Sequence, residues 1–106
     1  MKLFKKFTFE AGHSLPDYPM PHGHSYYVEV WVKGDANNGY VMPEAEIDAS
    51  CKKLKDLLDH KYLNDFIPIP TSENIARFIW ANLKLPLIQI KVERPTVGLG
   101  VVYEGD

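Results

Sequence analysis

His22-Gly23-His24 sets two imidazoles two residues apart, and in an extended chain residues at that spacing project to the same side. The segment has the alternation of a strand: His22, His24, Tyr26, Val28, Val30 and Val32 share one parity, while Ser25, Glu29 and Lys33 share the other. The histidines therefore head the apolar face. A third imidazole, His13, lies nine residues before His22, just after the alternating run Phe7-Thr8-Phe9-Glu10-Ala11. A hairpin of the two strands brings all three together. Three neutral imidazoles leave a bound Zn2+ its full charge and a free coordination position, the arrangement of a catalytic rather than a structural zinc. Such an ion brings the pKa of bound water to about 7 and polarises a hydroxyl or carbonyl oxygen of an organic ligand, which opens proton chemistry on the neighbouring carbon. A His-x-His pair alone is common at ordinary strand ends, so the weight falls on His13 and on the residues downstream.

The elements that must position these side chains follow from the rest of the pattern. The first strand is expected to run to about residue 12 and the second from 24 to 34, closed by the turn Gly34-Asp35-Ala36-Asn37-Asn38-Gly39. Pro43 suits a first helical position with Glu44 and Glu46 at the positive end of the macrodipole, and Ile47, Cys51, Leu54 and Leu58 fall on one helical face. Cys51 sits inside that apolar stripe and reads as a small buried hydrophobe rather than a nucleophile. This helix ends around Asp59-His60. Thr71 is the expected N-cap of a second helix whose buried face is Ile75, Phe78, Ile79 and Leu83, and Pro86 stops it. Ile88, Ile90 and Val92 then alternate with Gln89, Lys91 and Glu93, Pro95 and Gly98 mark a turn, and Val101 to Tyr103 return. The expected fold is α+β: a four-stranded antiparallel sheet with two helices, inserted between the second and third strands, on one face. Trp31, Tyr27 and the open sheet edges argue for association into a symmetric oligomer.

At 106 residues the chain is the size of a single domain, spanning 1–106. The net charge of −2 and pI near 6.1 give no basic footprint, and Lys and Arg form no stripe among stacking aromatics, which argues against a nucleic-acid partner and for a small molecule. No apolar run approaches membrane-spanning length, and Met-Lys-Leu-Phe-Lys-Lys-Phe-Thr-Phe alternates like a strand rather than a signal peptide, so a soluble, cytoplasmic protein is expected. The single cysteine excludes an internal disulfide and any multi-cysteine metal site.

Five segments, taken in order, resemble the 6-pyruvoyltetrahydropterin synthase and 6-carboxytetrahydropterin synthase family over nearly the whole chain. Phe9-Glu10-Ala11-Gly12-His13 resembles its first zinc-ligand strand and His22-Gly23-His24-Ser25-Tyr26 its histidine pair. Gly39-Tyr40-Val41-Met42 resembles the approach to its first helix, and Leu58-Asp59-His60-Lys61-Tyr62-Leu63-Asn64 its Leu-Asp-His-x-x-Leu-Asn signature. Pro70-Thr71-Ser72-Glu73-Asn74 and the strand-end Glu93 complete the set. The resemblance implies the tunnelling fold (T-fold), assembled as a homohexamer of two trimers with active sites between subunits. It implies Zn2+ held by His13, His22 and His24, and 7,8-dihydroneopterin triphosphate as substrate. The implied product is a tetrahydropterin, foremost 6-carboxytetrahydropterin, a precursor of queuosine. Asp59 and His60 are implied as a proton-transfer pair, and Glu93 as the pterin anchor, with Thr71, Ser72 and Glu73 lining the same pocket. Both main roles make physical sense. A carboxylate orients an imidazole and stabilises its charged form, and a carboxylate accepting two parallel N–H bonds suits a guanidine-like pterin edge.

The pattern breaks at the family's usual catalytic cysteine, four residues before the histidine pair, where this chain has Tyr18. The surrounding Ser14-Leu15-Pro16-Asp17-Tyr18-Pro19-Met20-Pro21 is short and proline-rich, and Pro43-Glu44 stands where the family often has Asp-Phe. Three outcomes stay open. Asp17, Tyr18 or the Asp59-His60 pair takes over the proton transfer, with cleavage to 6-hydroxymethyldihydropterin as one variant. Alternatively zinc and pterin binding persist without turnover, or the open metal site serves other chemistry on a purine-like molecule.

Overall fold

Apolar and polar residues alternate through most of the first third of the chain, and the computed structural model, which describes residues 1–106, turns that pattern into a long hairpin. β1 (Lys2–Leu15) and β2 (Tyr18–Lys33) pair from Lys2 opposite Lys33 to Leu15 opposite Tyr18, with a register shift between His13 and Leu15. Both strands outrun the limits expected near residues 12 and 24. Only Pro16 and Asp17 turn the chain, and Pro19 and Pro21 are tolerated because this end of β2 is flanked by β1 alone.

α1 (Glu44–Leu58) buries Ile47, Cys51, Leu54 and Leu58, with Pro43 capping it from one residue outside rather than forming its first turn. At its end Asp59 is extended and His60 adopts the left-handed conformation, φ 60°. That reversal lays β3 (Lys61–Tyr62) alongside β1, parallel to Ala11 and Gly12. The sheet therefore has five strands with one parallel pair, in the order β3-β1-β2-β4-β5, instead of four antiparallel ones. Two residues are too short a run for alternation to announce. A 3-10 turn (Leu63–Asp65) leads to α2 (Ser72–Asn82), β4 (Leu87–Arg94) and β5 (Leu99–Tyr103).

Both helices cover one sheet face, where Phe9, Tyr26, Val28, Val30, Ile90 and Val92 meet Leu54, Ile75 and Ile79 in one core. The opposite face is uncovered. There Phe4 stacks on Trp31 with ring centroids 4.6 Å apart, and Phe4 and Tyr27 are exposed. Gly100 lies so close to β4 that a Cβ would stand 2.8 Å from the Val92 carbonyl oxygen and 3.2 Å from Glu93 Cα. A side chain there would force β5 away from the strand end that carries Glu93.

Candidate metal centre and active-site groove

The hairpin register sets His13 opposite His22 and Ala11 opposite His24, so the three imidazoles share the helix-covered face at one end of the sheet. One nitrogen of each lies within 4.8 Å of the others. His13 is 1 % exposed and is held from several directions. Its Nδ1 donates to the Pro70 carbonyl at 2.9 Å, and the Tyr26 hydroxyl lies 3.3 Å from the same nitrogen. The next residue, Ser14, is clamped by Asn64, which accepts from its N–H and donates to its carbonyl, each at 2.9 Å. The Asn of the Leu-Asp-His-x-x-Leu-Asn segment thus fixes β1 beside the His13 ring. His22 Nδ1 donates to the Met20 carbonyl at 2.8 Å.

With both Nδ1 atoms donating to carbonyls, the remaining nitrogens are lone-pair acceptors. His13 Nε2 and His22 Nε2 face one another at 3.0 Å, and His24 Nε2 is buried with no partner. Two lone pairs pointed together repel, and a shared cation turns that contact into attraction. The donor set thus fits a divalent ion of the Zn2+ type, bound by His13, His22 and His24. Burial lowers the pKa of His24 to about 4, helped by the charges of His13, Arg94 and His22. The pKa of His13 is also lowered, first by burial and then by His22 and Arg94, against the opposing Pro70 carbonyl. Both rings are neutral at pH 7 and ready to ligate.

Asp59 and His60 sit on the edge of β1 away from β2, immediately before β3. Asp59 Oδ1 accepts from the Glu10 N–H at 2.8 Å, His60 N–H donates to the Glu10 carbonyl at 2.6 Å, and His60 Nδ1 lies 2.9 Å from Asp59 Oδ2. The Glu10 amide, and secondarily His60, hold the Asp59 carboxyl below its usual range. Asp59 therefore stays ionised and orients an exposed imidazole. Glu93 faces the uncovered side of the sheet, paired with Tyr27 on β2.

Three adjoining clefts connect these groups. One of about 630 Å³ includes His24, His60 and Thr96; one of about 320 Å³ includes Asp59, His60 and Tyr27; one of about 880 Å³ includes Tyr27, Lys91 and Glu93. The first two share Glu10, Ser25 and His60, and the last two share Thr8, Tyr27 and Lys55, so adjoining clefts run from His24 past the Asp59-His60 pair to Glu93.

Thr71, Ser72 and Glu73 line none of these clefts. Thr71 Oγ1 caps α2 by accepting from the Asn74 N–H at 3.1 Å, Ser72 is buried with its hydroxyl unpartnered, and Glu73 is exposed. Tyr18 begins β2, 56 % exposed, with its ring edge-on to His22 at 4.8 Å between centroids, and Asp17 lies in the turn before it. Cys51 is buried in the core, which pushes its thiol up to about 11. Sequence reasoning gave no site role to Tyr26, Asn64 or Arg94. Parity alone places Tyr26 in line with His22 and His24, and Arg94 in line with Ile90 and Val92.

The fold and the cluster define a small α+β protein with a three-histidine site fit for a metal ion. The family model for 6-pyruvoyl tetrahydropterin synthase matches residues 2–104, and the chain belongs to that family of lyase-type pterin synthases. Among its relatives is a 6-carboxy-5,6,7,8-tetrahydropterin synthase from Synechocystis, 39% identical over 95 residues, covering 77% of this chain and 74% of the relative. A dihydroneopterin monophosphate aldolase from Pyrococcus furiosus is 32% identical over 80 residues, covering 74% and 70%. These relatives support a tetrahydropterin synthase-type function. The solved 6-pyruvoyl tetrahydropterin synthase of Caenorhabditis elegans superposes with a TM-score of 0.85 at 21% identity, covering 100% of this chain and 96% of that one. The Plasmodium falciparum enzyme gives 0.74 at 18%, covering 99% and 98%. The architecture is the tunnelling fold. No helix is long and apolar enough to cross a membrane.

Proposed function

We propose that this protein is a zinc-dependent lyase that acts on 7,8-dihydroneopterin triphosphate, with 6-carboxytetrahydropterin, a queuosine precursor, as the product. The observation that carries the reading is the convergence of three imidazole nitrogens, two of them tautomerically fixed by backbone carbonyls and the third buried without a partner. The 39% identity to the Synechocystis protein favours the 6-carboxy branch.

A Zn2+ ion at this site would polarise the oxygens of the substrate side chain. The protein's own residues do the rest. Glu93 accepts the N–H groups of the pterin edge and fixes its orientation. His60, held by Asp59, exchanges protons with the side chain along the groove, and Asp59 stabilises the imidazolium that forms. The sole cysteine, Cys51, is buried with its thiol pushed up to about 11, so the family's thiol base is lost here.

That loss supports a second reading, in which the side chain is cleaved to 6-hydroxymethyldihydropterin, as the name of the Pyrococcus relative suggests for dihydroneopterin monophosphate. In either reading the protein is a homo-oligomer, a hexamer of two trimers with active sites between subunits. The uncovered sheet face, with Phe4 and Tyr27 exposed, supports this assembly.

The test is mass-resolved product analysis after incubating zinc-loaded protein with 7,8-dihydroneopterin triphosphate beside a metal-free control. A 6-carboxy product that depends on zinc supports the first reading and a 6-hydroxymethyl product the second. Intact substrate with zinc bound would overturn both.

A further inference from the structure

Arg94 closes β4 one residue after Glu93, and strand alternation puts it on the opposite face, with Ile90 and Val92. Across the sheet, Val92 pairs with Val28 and Glu93 with Tyr27, so Arg94 continues the row toward Tyr26 and then His24. Tyr26 is fully buried and its hydroxyl reaches His13. Arg94 itself is partly buried. None of the molecule's ion pairs includes Arg94, and its Nε is buried with nothing to accept from it.

We propose that Arg94 is an oxyanion-binding, specificity-determining residue of the histidine site, holding the phosphoryl group of a phosphorylated pterin. This rests on the pterin reading above and adds what the site selects. The guanidinium fork matches phosphate oxygens, whereas the Glu93 carboxylate matches the N–H edge of the ring. A ligand lying across the end of β4 meets both, its anionic end toward Arg94 and its ring toward Glu93. The orphaned Nε–H gains an acceptor only when that anion arrives.

The experiment compares neopterin triphosphate, an oxidised-ring analogue that does not react, with unphosphorylated neopterin, titrated calorimetrically into zinc-loaded wild type, Arg94→Met and Arg94→Lys. Zinc content and thermal midpoint are checked for each. The expected result for Arg94→Met is a loss of about tenfold or more in affinity for the triphosphate, with neopterin affinity held within about twofold. Arg94→Lys should fall between, because it keeps the charge and loses the fork; it also serves if the Met variant does not fold. Equal losses for both ligands would reassign Arg94 to a structural role, and no loss for either would remove it from the site. If wild type binds neither pterin, the pterin reading fails separately. In that case phosphorus-31 line broadening of inorganic phosphate decides for Arg94 if it drops in the variants and against it if it does not.

Discussion

His60 combines a candidate proton-transfer role with a strained backbone. At φ 60° immediately after α1, its Cβ meets the steric penalty of the left-handed region, of order 1–2 kcal/mol per residue. The strain persists because the turn is tied to β1 twice, through His60 N–H to the Glu10 carbonyl at 2.6 Å and the Glu10 N–H to Asp59 at 2.8 Å. His60→Gly and His60→Ala both lose the exposed contact to Asp59, so their difference isolates the backbone. Glycine removes the penalty but returns about 0.4–1 kcal/mol through its freer unfolded chain. The Gly variant should therefore be more stable than the Ala variant by roughly 0.5–1 kcal/mol, about 2–6 °C in midpoint for a chain of this size. Urea and thermal unfolding of the metal-free proteins measure this directly. Turnover of both variants should fall about 10²- to 10⁴-fold, the contribution of a general acid or base. An Ala variant as stable as the Gly variant would refute the strain argument. Undiminished turnover would remove His60 from the chemistry.

Glu93→Ala should weaken calorimetric pterin binding by about tenfold or more while elemental analysis still finds one zinc per chain; unchanged affinity would count against the anchor. His24→Ala should lose zinc retention on gel filtration, and stoichiometric metal in that variant would break the three-histidine assignment. Metal-free protein should lose stability as pH falls from about 6.5 toward 4. In that window the unfolded chain protonates His24 and the folded chain, with its pKa lowered to about 4, does not. The ceiling is about 3 kcal/mol, and the depressed His13 adds to it in the same direction. A flat urea midpoint across that range would contradict the burial argument.

Much of the fold was legible in the sequence because alternation reports which face a side chain takes. The parity of His22, His24, Tyr26 and Val28 placed the histidines on the covered face, and the stripe Ile47, Cys51, Leu54 and Leu58 gave α1. What escaped were features with no period. β3 is two residues long and exists because His60 reverses the chain, and the hairpin tip extends because Pro16 and Asp17 turn it tightly. The tautomer-fixing carbonyls of Pro70 and Met20 belong to the backbone, so no residue type could announce them. Thr71 was legible as a cap and serves as one. Arg94 was hidden because a strand-end arginine ordinarily reads as a solvated surface charge.

The measurement that bears most directly on the metal centre is zinc K-edge X-ray absorption on protein reconstituted with one equivalent of Zn2+. Three imidazole nitrogens at about 2.0–2.1 Å with an additional oxygen donor are the expected first shell. A first shell with one imidazole or none, or a spectrum unchanged by His24→Ala, would contradict the three-histidine centre.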